Sequence, residues 1–141
     1  MLDNNSLCTA LRRFEEAGAV TKTTEPQASR PPRLVYTLTD VGQDLLHDML
    51  ADLPAEQAGE ESEFMARLGQ FSKINPAERA GILASRTRAV RDQLAHYQAM
   101  RTLAAEHGER WGALATDELI RRHEQELAWL AELGELAQEE P

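Results

Sequence analysis

The chain has one cysteine, Cys8, in 141 residues. A single cysteine excludes an internal disulfide framework and fits a reducing compartment. No apolar run approaches the roughly 20 residues that a membrane-spanning helix needs. The N-terminus lacks the basic-then-apolar order of a secretory signal. These absences predict a soluble, cytoplasmic protein with no membrane partner. Basic charge is also short, 15 Lys and Arg against 24 Asp and Glu, a net charge of −9. That balance speaks against a general nucleic-acid binder. Catalytic and metal motifs are missing too. His47, His96, His107 and His123 lie far apart, and none sits in HExxH or a Cys/His metal spacing. His123 with Glu124 and Glu126 is the nearest thing to a ligand set. Those spacings share only part of one helix side, so a helix-face or core histidine is the simpler reading. The glycines form no phosphate cradle and no Ser/His/Asp order stands out. Neither an enzyme, nor a metal, nor a cofactor is expected.

What is present begins at the N-terminus. Leu7, Ala10, Leu11 and Phe14 recur at i, i+3, i+4 and i+7, one apolar stripe at the helical period. Asp3, Asn4 or Asn5 can cap this helix, and Gly18 stands where a left-handed stop belongs. The other face carries Asn5, Ser6, Thr9, Arg12, Arg13 and Glu16. Asn, Ser, Thr and Arg are the types that donate to phosphates and read base edges. Cys8 lies near the helix N-terminus, which would lower its pKa; a half-buried or buried small apolar role is the simpler reading. Val20, Thr21, Thr23 and Thr24 then favour a strand. From Glu25 to Pro32 the prolines exclude helix and central strand, which predicts a loop. Arg33 to Leu38 reads as a second strand with Leu34, Tyr36 and Leu38 on one face. Thr39 or Asp40 caps the next helix. Helix, strand, basic loop, strand and helix make the C-terminal half of a winged helix-turn-helix.

The run Leu7-Cys8-Thr9-Ala10-Leu11-Arg12-Arg13-Phe14-Glu15-Glu16-Ala17-Gly18-Ala19-Val20, with Arg30-Pro31-Pro32-Arg33-Leu34-Val35-Tyr36-Thr37-Leu38-Thr39-Asp40-Val41-Gly42, resembles the PadR family of bacterial transcriptional regulators. The resemblance implies a recognition helix, a wing that returns through a basic proline-bearing turn, and a helical C-terminal domain. It departs at Cys8, where the family usually has tyrosine. The family also begins with two further helices, for which there is no room before Asn4. In that frame Asn5, Ser6, Thr9 and Arg13 would enter the major groove of operator DNA and Arg12 would meet phosphate. Lys22, Arg30 and Arg33 of the wing would sit on phosphates or in the minor groove, and Tyr36 of the same wing would also contact DNA. The charge permits it: residues 1–39 hold five basic and four acidic residues, a balance of +1, so the acid excess lies in residues 40–141. The five cations also suit a plain solvated surface; their place on a polar helix face and a hairpin tip is what favours DNA.

Farther on, Val41, Leu45, Leu46, Met49, Leu50 and Leu53 predict a helix over 40–53 that packs on the wing and first helix. Pro54 ends it. Residues 55–61 read as an acidic, flexible linker, dividing a winged-helix domain at 1–54 from a helical domain at 62–141. A short helix is expected over 62–73. Asn75-Pro76-Ala77-Glu78 is a helix start with cap, first-turn proline and capping-box glutamate. The long helix from Pro76 to about Glu106 bears a weak seam of Ala80, Leu83, Thr87, Val90, Leu94, Tyr97, Arg101 and Ala104. Gly108 stops it, and a last helix spans about Leu114 to Gln138, with Ile120, His123, Leu127, Leu130 and Leu133 on its stripe.

The fold class expected is mainly α with a small β-hairpin wing, a partial winged helix-turn-helix followed by an antiparallel long-helix dimerisation domain. Two such helices carry more apolar surface than they can hide on each other. A homodimer is therefore expected, through Leu83, Val90, Leu94, Tyr97, Ile120, Leu127, Trp129 and Leu130. Trp111, Trp129, Tyr97 and Met100 could line a pocket at a dimer interface for a small aromatic effector, an idea raised by the resemblance; plain core packing is the simpler reading. Two functions from different classes follow. One is a DNA-binding regulator, acting as a repressor. The other is a truncated dimerisation module that pairs with a full-length regulator and lacks DNA binding of its own.

Overall fold

A computed structural model describes the backbone of residues 4–28 and 30–139, and the side chains of 6–28 and 30–138. Its elements are α1 (Asn4–Glu16), β1 (Val20–Gln27), β2 (Arg30–Leu38), α2 (Asp40–Leu50), α3 (Glu61–Leu68), α4 (Pro76–Glu106) and α5 (Arg110–Glu139), with a short 3-10 turn at Phe71–Lys73. The fold is the expected one: mainly helical, with one antiparallel ribbon behind the first helix. The chain divides into two compact units, Met1–Met49 and Leu50–Pro141.

In the first unit, α1 ends where Gly18 adopts a φ of +72°. The Gly18 amide donates to Glu15 O and the Ala19 amide to Phe14 O, closing the last carbonyls in a Schellman arrangement. Thr39 then clasps the next junction. Its hydroxyl donates to Gly18 O (2.6 Å) and accepts from the Gly42 amide (3.0 Å), so Thr39 rather than Asp40 caps α2. A side chain at Gly42 would place its Cβ 1.9 Å from Ala19 O. Only glycine lets the two chain segments approach this closely. The threonine and glycine that follow the wing are thus the fastening between helix, ribbon and α2.

The ribbon corrects the loop expected at 25–32. Its pairing runs from Val20↔Leu38 to Glu25↔Arg33 and on to Gln27↔Arg30, with an irregularity at Pro26. Proline is excluded from a central strand because it lacks a ladder donor. A two-stranded ribbon has no central strand, and its irregularity seats Pro26 opposite Pro31 and Pro32. Helix α2 is three residues shorter than expected. Its first turn meets Ala19 and Leu38 at Gly42, while Val41, Leu45, Leu46 and Met49 stay 39–58% exposed. Cys8 is exposed, not half-buried.

The second unit holds the larger core, around Leu53, Phe64, Ile82 and Val90, all essentially without solvent contact. Burying each such side chain contributes roughly 1.5–3 kcal/mol. Helix α4 starts at the expected residue. Asn75 Oδ1 accepts from the Glu78 amide and Glu78 Oε2 accepts from the Asn75 amide, both at 2.9 Å. Gly108, with φ +69°, turns the chain into α5, which begins earlier than expected and includes Trp111.

Residues 55–61 are not a flexible linker. Ala58 is 1% exposed and belongs to the core. Three buried arginines hold the irregular segments of this unit. Arg67 donates to Asp52 O, to Glu63 and to Gln57 Oε1. Arg79 donates to the carbonyls of Phe71 and Ile74. Arg86 donates to Ala58 O and to Glu126 Oε1. Acid content suggests solvation; Ala58 O and the Gln57 side chain instead find guanidinium donors on the helices.

Candidate nucleic-acid interface

Helix α1 presents Ser6, Thr9 and Arg13 along one line, spaced by three and four residues, and all three are exposed. Arg12 lies beside them, also exposed, and makes a loose i,i+4 pair with Glu16 at 3.9 Å. Such a pair is screened and weak. The Asn5 side chain lies outside the described residues. On the opposite face Ala10 and Leu11 are half-buried, while Leu7 and Phe14 remain 47% and 40% exposed.

Lys22 and Arg30 are exposed on the ribbon, and among the described residues neither has a carboxylate partner. Arg33 is different. Its Nε and Nη2 both donate to Glu25 Oε2, at 2.8 and 2.6 Å. Tyr36 is half-buried opposite Lys22 in the ladder. Sequence reasoning misses the role of Glu25, because ending β1 at Thr24 leaves the glutamate in a loop. A register carried past Pro26 sets Glu25 directly across from Arg33.

The residues expected at a dimer interface are divided by the structure. Leu83, Val90 and Leu130 are buried in the core of their own unit. The seam on α4 is the one that meets α5. Gln93 faces His123, Tyr97 stacks edge-on against the same imidazole at 5.0 Å, and Arg101 pairs with Asp117 at 2.6 Å. Leu127 packs against the core, while Leu94, Tyr97 and Ile120 are half-buried and Trp129 keeps 37% of its surface. The four residues considered for an aromatic pocket do not meet within one chain. Trp111 is 78% exposed, and it stands 18 positions before Trp129 on α5, about 27 Å along the helix. Trp129 instead lies edge-on to Phe64, with ring centroids 6.0 Å apart, beside a cleft of about 550 Å³ lined by Met65, Gln93 and His123. His123 Nδ1 donates to Leu119 O, and its Nε2 faces Gln93 Oε1 at 3.2 Å. Among the described residues no three His, Cys, Asp or Glu side chains are grouped to hold a metal. No helix among them is long and apolar enough to cross a membrane.

A helix capped by glycine, followed by a cationic two-stranded ribbon and a helix fastened by threonine and glycine, is the helix-plus-wing part of a winged-helix domain. Residues 2–48 match the model of the transcriptional regulator PadR-like family. Among solved structures the chain is similar to Bacillus subtilis PadR in complex with operator DNA. The two are 20% identical over 96% of this chain and 79% of that one, with a TM-score of 0.45. It is similar also to smu.1604c from Streptococcus mutans UA159, at 19% identity over 96% and 79% of the two chains, with a TM-score of 0.49. No curated protein matches the chain.

Proposed function

We propose that the chain is a DNA-binding transcriptional regulator that acts as a homodimer and represses its target. The observation that carries this reading is the PadR-like match over α1 and the ribbon, the same residues that line up Ser6, Thr9 and Arg13 on the helix and carry the cations of the wing. Asn5, Ser6, Thr9 and Arg13 then read base edges in the major groove. Arg12, Lys22 and Arg30 contact phosphates, and Arg33 does so once freed from Glu25. The net charge of −9 is met by placing the acid excess outside this region. Dimerisation through the surface left on α4 and α5 (Leu94, Tyr97, Ile120 and Trp129) sets the spacing of two half-sites. Fluorescence anisotropy against the DNA upstream of the protein's own gene, at two salt concentrations, tests this. Salt-sensitive, sequence-selective binding is expected. A folded dimer that binds no DNA favours instead a module that pairs with a longer regulator.

A small aromatic effector is a second reading, favoured by the cleft beside Trp129. Its volume lies within the range of ordinary ligand sites. Saturable quenching of Trp129 fluorescence in a Trp111→Phe variant by flat aromatic compounds is the expected sign; absence of quenching across a panel removes it.

A further inference from the structure

The cations of the ribbon are not equivalent. Glu25 and Arg33 stand opposite each other in the ladder, and both N–H donors on one edge of the guanidinium are taken by a single carboxylate oxygen. Prolines fix the backbone beside each partner, Pro26 directly after Glu25 and Pro32 directly before Arg33. A residue that precedes proline is confined to extended conformations, so Glu25 is held in line with its partner. Lys22 and Arg30 are matched by no such acid among the described residues. A cation that meets a phosphate displaces a condensed counterion and so contributes to the salt dependence of binding. A cation already neutralised by its own strand contributes nothing until that pair opens.

We infer that Glu25 sets the affinity of the wing for a phosphate backbone, by holding Arg33 in a cross-strand ion pair that a phosphate has to displace. Glu25 is a positioning residue in this scheme, acting on DNA through Arg33. The inference rests on the DNA-binding reading and deepens it. The pair is about half exposed, 61% and 48% for the two side chains. It is therefore weak enough to be exchanged for a phosphate, yet it withholds one positive charge from loose contacts.

Five proteins decide it: the parent, Glu25→Gln, Glu25→Thr, Arg33→Ala and the double variant Glu25→Gln with Arg33→Ala. Each is measured by anisotropy on one duplex from upstream of the gene, over a series of salt concentrations. Glu25→Gln is expected to tighten binding a few-fold, the size of an exposed ion pair. It should also steepen the slope of log affinity against log salt by about 0.9, the value of one phosphate contact. Arg33→Ala leaves the parent slope nearly unchanged but removes the gain when added to Glu25→Gln. Glu25→Thr, which removes the charge with a strand-forming side chain, gives the same result as Gln. An equal gain from Glu25→Gln with or without Arg33 overturns the inference, since Glu25 then acts on DNA by direct repulsion. So does a slope flattened by about 0.9 in Arg33→Ala alone, looser binding by Glu25→Gln, or disagreement between the Gln and Thr variants. A parent chain that binds no duplex overturns the regulator reading itself, and the inference falls with it.

Discussion

Single residues carry consequences that can be sized. An Ala at Gly42 puts a methyl into the Ala19 carbonyl, which is backbone and cannot swing aside. Gly42→Ala should destabilise the first unit by about 1–3 kcal/mol, seen as faster amide exchange from α1 and the ribbon with α4 unchanged. In the second unit Arg86 is buried and depends on Glu126. Glu126→Ala leaves that guanidinium short of an acceptor and should cost about 3 kcal/mol or more in urea unfolding; Glu126→Gln, which keeps an oxygen there, should cost less. Glu118 is a third case. Hydrogen bonds from Arg121, then from Arg122, lower its carboxyl from 4.5 to about 2. A lowered folded-state value means the contribution is present above the ordinary carboxylate range. It is lost as the pH falls from about 4.5 towards about 2. Carbon NMR of the Glu118 carboxyl should titrate near 2 in the parent and higher in Arg121→Ala. High salt should shrink the difference, because the group is exposed.

At the scale of elements, the capping box at Asn75 marks the start of α4 in three side chains, and all of that signal is local. Asn75→Ala should cost about 1 kcal/mol, read as a lowered unfolding midpoint of the second unit. Local signals of this kind, together with Gly18 and Gly108 as stops, are legible in the amino-acid sequence. The ribbon and the acidic turn are not, for opposite reasons. Pro26, Pro31 and Pro32 point away from a strand only under a rule that concerns strands with neighbours on both sides, and here each strand has a free edge. The turn at 55–61 looks solvated because composition does not show that Arg67 and Arg86, up to 28 residues away, supply its donors. The candidate interface divides in the same way. The polar face of α1 follows from period alone, whereas the pairing of Glu25 with Arg33 needs the register. A consequence for the wing is that Arg30→Ala, unlike Arg33→Ala, should flatten the salt slope of DNA binding by about 0.9.

The whole molecule joins two units of unequal interior. Among the described residues, Ala19 is the only buried hydrophobic side chain of the first unit, whereas the second has a continuous core from Leu53 to Ala137. Native-state hydrogen exchange should therefore show α1, the ribbon and α2 opening before α4 and α5. Sedimentation should show a dimer that survives Trp111→Ala and weakens when Leu94 and Ile120 become Asp; an unchanged dimer would move the interface elsewhere. The ribbon has one more consequence, for behaviour at high concentration. Both of its strands end the sheet, so each offers a row of backbone groups to any passing chain, the geometry from which fibrils grow. Pro26, Pro31 and Pro32 delete donors from the outer third of those rows, and the ladder is broken at the same place. The feature that hides the ribbon in the sequence is the one that keeps it from seeding aggregates, and a variant with threonine at all three prolines should be the first to form them.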